Sequence, residues 1–199
     1  MYPHGGLGMS NKLHVYSKEA LKKEPFLPLK RPFPRSLDLM EKLKKQVRKY
    51  RGKWNLENHL AQRYKKYLGK KLPHELEIQW VNAHIGNGVF AKEPIKKGGF
   101  ICEYIGLITD EKELHPDNRY VFNLTVGDDE TGYVLDARYS GNVARTINHA
   151  DDPNAEAVTI FVEGLPRVVY LARRNIKKGE EICVDYGQEY WSTWKEQKQ

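Results

Sequence analysis

Residues 142–154, NVARTINHADDPN, put Arg145, Asn148, His149, Asp151, Asp152 and Asn154 into one turn-rich stretch between strand-like runs. Taken alone, this stretch reads as a loop whose Asn and Asp side chains bond backbone and whose His149 is a satisfied imidazole. A metal reading is poorer, because there is no close His pairing and the acidic spacing does not match a calcium loop. A second cluster, GEEICVDYG over 179–187, is a turn, a strand and a terminal tyrosine. Tyr186 there could be an ordinary cross-strand aromatic. Cys183 lacks the His and Asn partners of a thiol nucleophile and reads as packing, and no G-x-S-x-G elbow occurs. A third, Gly86-Asn87-Gly88-Val89-Phe90-Ala91, formally fits a dinucleotide fingerprint. The KEPIKKGG that follows contradicts it, since Pro94 and two glycines forbid the long helix such a unit needs. The glycines instead let backbone approach a ligand closely, or make a hairpin.

The elements that must position these groups are legible in outline. The chain has 199 residues, 33 Lys+Arg, 26 Asp+Glu and two cysteines. That suits one domain plus an extension, and is too poor in cysteine for a disulfide framework or a Cys-based zinc site. No run of about 18 apolar residues is present, and the N-terminus does not read as a secretion signal. The charge is divided: residues 1–76 carry +13 and residues 77–199 carry −6. The basic part suits an acidic partner, the acidic body a basic one, and a solvated helix face explains the former equally well. Residues 24–35 contain four prolines and read as an extended connector. Ser36 then caps a helix running to about Tyr50, with Met40, Leu43, Val47 and Tyr50 as its stripe. A second helix starts after Asn55, with Leu56, Leu60, Tyr64 and Leu68 on one face and Gly69 as its stop. The two helices are expected to pack as a small cap, their stripes burying against the body or against each other rather than binding a cofactor. From Glu77 short apolar runs (EIQWV, GVFA, FICEYIG, RYVFNLTV, GYVLDA, AVTIFV, RVVYLA, EICVDY) read as strands. No internal repeat is read, and no strand-helix alternation suggests a parallel sheet. The fold class is α+β. Four segments follow: an extended basic arm over 1–35, a helical cap or partner-binding segment over 36–76, a body over 77–187 and an aromatic tail over 188–199.

In order along the chain, IGNGVFA with IKKG, EYIG, RYVFNL, VLDARYSGNVARTINHADDPN and GEEICVDYG resemble the SET-domain protein lysine methyltransferases. The resemblance covers about Gln79 to Gly187. It implies a β-rich SET domain in which the C-terminal strand segment threads under a preceding loop, a rare pseudo-knot. It also implies S-adenosylmethionine as cofactor, contacted by backbone at Ile85, Asn87 and Gly88. Tyr139 would approach its amino group, Arg145 and Asn148 its amino-acid end, and the backbone of His149 its adenine. Tyr186 and Tyr120 would be catalytic and line the lysine channel, with Phe122, Ala157 and Val184 also in the channel. No metal site is implied.

The chain departs from the family pattern in informative places. Ala150-Asp151 stand where Ser-Cys is usual. Val184 stands where Phe or Tyr is common, and Ala157 where some members place a pocket tyrosine, so the pocket is expected to admit di- or trimethylation. The cysteine-rich zinc segment that follows the family's domain is missing, and Trp191 or Trp194 is expected to fold over the adenine or the channel, or else to anchor the tail. The implied activity is lysine methylation of a basic protein, with a histone tail favoured by the acidic body. DNA or nucleosome contact through 36–76 is a further expectation, and a nucleic-acid-binding module on a catalytically weak SET scaffold is the alternative. No membrane partner is expected. The expected location is intracellular: nucleus or chromatin in a eukaryote, cytoplasm or a host cell for a bacterial protein.

Overall fold

β-branched and aromatic residues punctuated by Gly, Asn and Asp become thirteen strands among the described residues of the computed structural model, which are 27–50, 59–188 and 190–191. Three sheets carry the body. One orders β10 (Asn148–His149), β13 (Glu181–Val184), β4 (Gly86–Ala91) and β3 (Leu76–Asn82). A second orders β11 (Ala155–Val162), β12 (Leu165–Ala172) and β5 (Phe100–Glu103). The third orders β2 (Phe33–Pro34), β6 (Leu107–Asp110), β8 (Asp129–Asp136) and β7 (Val121–Val126). A two-stranded pair joins β1 (Leu27–Pro28) to β9 (Ser140–Gly141). The proline-containing segment thus adds two short parallel strands to the body, where few N–H groups are needed for pairing.

Helix α1 (Leu37–Lys49) starts as its sequence predicts, with the Ser36 hydroxyl accepting from the Leu39 N–H at 3.2 Å. Its Leu39, Leu43 and Val47 enter the main core beside Ile78, Val89, Ile101 and Leu135. Helix α2 (His59–Tyr64) is shorter than expected among the described residues, and Leu56 lies outside them. Its Ala61 and Tyr64 join a separate cluster with Phe100, Ile160, Val169 and Leu171. Of the two expected destinations for the stripes, the described residues take the body: each stripe buries in a different cluster with sheet residues.

The expectation of no repeat is also corrected. Val89–Cys102 and Tyr170–Cys183 are two copies of one strand-turn-strand unit, sharing Ala91/Ala172, Ile95/Ile176, Lys96/Lys177, Lys97/Lys178, Gly98/Gly179, Ile101/Ile182 and Cys102/Cys183. The copies exchange strands, since β4 of the first pairs with β13 of the second, and β12 of the second with β5 of the first. Ile95 and Ile176 exchange N–H···O bonds of 2.9 and 2.8 Å at the centre. Gly98 N–H reaches Ala172 O, and Gly179 N–H reaches Ala91 O, both at 2.7 Å. Intervening strands and loops separate the copies so widely that no short-period self-similarity announces them.

The C-terminal strand supplies the chain crossing. β13 sits between β4 and β10 and pairs with the latter in parallel, Asn148 opposite Cys183 and His149 opposite Val184. Asn154, 3 % exposed, locks the crossing: its amide donates to Glu181 O at 2.7 Å and accepts from Cys183 N–H at 2.9 Å.

Candidate active site

A cavity of about 210 Å³ opens beneath this crossing. Its walls include Tyr104 just after β5, Phe122 on β7, Ala157 on β11, Tyr170 on β12, Val184 on β13 and Tyr186 beyond it. Tyr170 stands opposite Ala157 in the β11–β12 register, and its ring meets Tyr104 edge-on at 6.3 Å. The Tyr186 hydroxyl donates to Ile147 O at 2.8 Å, which leaves its oxygen lone pairs free. Its backbone N–H donates to His149 Nδ1 at 3.2 Å. Tyr186 is thus fixed at both ends by the 147–149 segment. Burial pushes the hydroxyls of Tyr186, Tyr104 and Tyr170 above the usual tyrosine range, so all three stay protonated. Burial likewise pushes the Cys183 thiol up to about 11, which makes it a poor nucleophile.

Tyr120 stands beside this cavity rather than in its wall. Its ring carries the Arg145 guanidinium at 3.8 Å from the centroid. Arg145 itself is 7 % exposed, and its Nε donates to Ala137 O at 2.9 Å, so it braces the chain leading to Tyr139. Tyr139 is 63 % exposed, with the Arg138 guanidinium 5.3 Å from its ring.

On the other side of the β10–β13 pair, polar groups converge on a glycine. The Asn148 amide donates to Asn87 O at 3.1 Å and to Glu181 Oε1 at 2.8 Å, while its own Oδ1 has no partner among the described residues. A Cβ on Gly88 would lie 2.9 Å from Val81 and 3.0 Å from the Asn148 amide, and closer still to Glu181. Only glycine lets this backbone come so close. Ile85 is half exposed next to it, its N–H held by Asn82 Oδ1 at 2.9 Å. The Trp191 ring stands edge-on to His149 at 5.0 Å and parallel to Tyr186 at 6.3 Å, leaving 42 % of Trp191 exposed. Trp194 lies outside the described residues. The His149 side chain is consumed internally, with Asp151 at 3.4 Å and Asp185 at 3.6 Å from its ring nitrogens. What remains available is backbone near Ile85 to Gly88, the Asn148 carbonyl and the exposed Tyr139 and Trp191 faces. That set fits a ligand with an ammonium-bearing end and a flat ring.

Sequence reasoning assigned no role to several groups that the fold brings here. Tyr104 and Tyr170 sit in quoted strand runs, EYIG and RVVYLA, with nothing local to mark them as cavity walls. Tyr190 packs its ring 4.6 Å from Tyr186. Glu181 looked like a turn acid, yet it holds Asn148. Outside the cavity lining, Glu103, 3 % exposed, takes a two-pronged contact from Arg167 across the sheet, and burial pushes its carboxyl above the usual range against the pull of that guanidinium.

Similarity to known proteins follows the same segments. The chain is 39% identical over 113 residues to histone-lysine N-methyltransferase EHMT1 of Mus musculus, a match covering 54% of this chain and 9% of the relative. It is 39% identical over 113 residues to SUV39H1-A of Danio rerio, covering 51% of this chain and 27% of that protein. The chain therefore spans only a small part of these relatives. Among solved structures, SUVH6 of Arabidopsis thaliana in complex with SAM superposes with a TM-score of 0.54 at 28% identity, over 61% of this chain and 30% of that one. KRYPTONITE, in complex with mCHH DNA, an H3(1-15) peptide and SAH, gives 0.52 at 33% identity, over 59% and 24%. ATXR5 shares the fold over 85% of both chains, with a TM-score of 0.70 and 23% identity. Residues 86–187, half of the chain, match the SET domain, and the chain belongs to that family.

Proposed function

We propose that this chain is an S-adenosylmethionine-dependent protein-lysine N-methyltransferase whose substrate is a basic protein tail, specifically a histone tail. The observation that carries this reading is the paired strand β10–β13, which puts the Tyr186 cavity on one side and the Asn148–Gly88 cradle on the other. When bound, S-adenosylmethionine supplies an electrophilic methyl group on a sulfonium. The residues divide the remaining work. Asn148 offers its free carbonyl to the amino-acid end, Gly88 and its neighbours admit backbone contact, and Trp191 with Tyr139 offers ring faces. A lysine side chain in the cavity is surrounded by aromatic walls, which favour its neutral amine. That matters because a free lysine, pKa about 10.4, is neutral in only about one molecule in a thousand near pH 7. Tyr186, held by Ile147 O and His149, presents its hydroxyl oxygen as a fixed acceptor beside the transferring group. Alignment of the amine supplies the rest. Tyr120 supports this wall through Arg145.

Support for a histone substrate comes from the acidic body and from the names of the similar proteins, which are histone-lysine methyltransferases. Val184 and Ala157 leave room for an amine that already carries a methyl, so the reading includes di- or trimethylation. It also includes a nuclear site of action and DNA contact through 36–76, where Lys45, Arg48 and Lys49 of α1 are exposed without an ion pair among the described residues. Incubation with labelled cofactor and core histones, then mass spectrometry of lysines, tests the reading. Label on a defined lysine supports it, and cofactor binding without transfer to any histone contradicts the substrate.

A further inference from the structure

The two copies of the strand-turn-strand unit do something besides folding: each turns through Ile-Lys-Lys-Gly at its middle, and the Ile95–Ile176 bridge joins the two turns at their first residues. Gly98 and Gly179 adopt φ of 71° and 80°, and the turns close by Gly99 N–H to Lys96 O at 2.8 Å and Glu180 N–H to Lys177 O at 3.1 Å. Positive φ at the third turn position is what a glycine there accommodates. Ile95 and Ile176 are each 1 % exposed and anchor both turns to the core through their mutual bridge. Lys97 and Lys178 each lie two residues beyond this antiparallel bridge, one in each copy.

Lys96, Lys97, Lys177 and Lys178 are all exposed, and none has an ion pair among the described residues. The adjacent carboxylates are already committed. Glu93 accepts from Glu75 N–H at 3.1 Å, Glu75 pairs with Lys92 at 3.3 Å, and Glu180 holds Arg174, Asn154 and the Lys177 N–H. Four like charges are thus gathered on two joined turns, and the one carboxylate within a turn, Glu180, is paired with Arg174. No exposed large hydrophobic side chain lies in either turn among the described residues, so the surface lacks the apolar anchor around which protein interfaces form. None of the four lines the cavity.

We propose that these paired lysine turns, the first of which accepts the Tyr64 hydroxyl of α2 at Gly98 O (2.7 Å), form a docking surface for the phosphodiester backbone of duplex DNA, separate from α1 and from the cavity. The contact is sequence-independent, with each lysine acting as a point charge toward phosphate. The test is fluorescence anisotropy of the full chain on a labelled duplex at several salt concentrations, beside a variant carrying Lys96→Gln, Lys97→Gln, Lys177→Gln and Lys178→Gln. A second variant carries Lys45→Gln, Arg48→Gln and Lys49→Gln on α1. Because the four side chains make no internal bonds, the thermal midpoint of the turn variant should match the parent. The slope of log affinity against log salt should become shallower by about 2 to 4, at about 0.9 for each lost phosphate contact. Affinity at low salt should fall more than in the α1 variant. A folded turn variant with the parent's slope overturns the proposal, as does absence of duplex binding by the parent. Retention of a poly-glutamate peptide without duplex binding overturns it too, in favour of an acidic protein partner. Should the fourfold variant melt early, the pair Lys97→Gln and Lys178→Gln carries the same comparison.

Discussion

Tyr186 is held by two hydrogen bonds that come from one short segment, so its hydroxyl has a direction before any substrate arrives. Its burial sets a pH dependence. The substrate amine must lose a proton to react, so kcat/KM climbs with pH. The tyrosine acid lies above its usual value and keeps its proton over the same range, so it contributes no falling limb. A pH–rate profile from about 7 to about 10 should therefore rise or level off, and a decline between about 9 and 10 would implicate a tyrosine with an ordinary pKa. Val184 makes a second prediction. Val184→Tyr adds a ring and a hydroxyl to the cavity wall that Tyr186 also lines, and product spectra should shift to the monomethyl state; continued higher methylation would move the limit elsewhere in the cavity. Tyr186, Asn148 and His149 were legible because short, ordered motifs carry them. Tyr104, Tyr170 and Glu181 were not, since their roles depend on which strands meet across the chain.

Element-level order rests on the crossing of β13 over the 142–150 segment. Asn154 serves that crossing with three hydrogen bonds: its buried amide donates to Glu180 Oε1 and Glu181 O and accepts from the Cys183 N–H. Asn154→Ala removes them and leaves buried backbone partners unpaired, at a cost of about 1–3 kcal/mol. Denaturant unfolding should show that loss, together with weaker cofactor binding because Asn148 is registered on the same strand pair. A neutral effect on both would mean that the strand pairing alone holds the crossing. The strand runs from EIQWV to EICVDY were readable from alternation and turn residues. Leu107–Asp110 escaped because LITD is too short and mixed to show a period. The two-residue strands β9 and β10 escaped because pairing, not local preference, makes them strands.

At the scale of the whole molecule, α1 precedes the matched SET residues 86–187 yet buries its apolar stripe in their core cluster. Leu43 is fully buried in the main cluster, which also contains Val184 and Ile147 of the site. Leu43→Ala should cost about 2–5 kcal/mol and lower the single melting transition of the whole chain. A separate early transition would show that the helix folds independently. The exchange of strands between the two repeat copies explains why one cluster spans segments so distant in sequence. The identities of the repeat stand in the sequence, but the exchange could not be read from local pattern, because its partners lie on opposite sides of residues 103–169. The most direct test of the account is methyl transfer from labelled S-adenosylmethionine to core histones by the parent chain and by Tyr186→Phe, with cofactor binding measured in both. The account predicts label on a defined lysine, a loss of about 10²–10³-fold in the variant and retained cofactor binding. Near-parental turnover by Tyr186→Phe would contradict it.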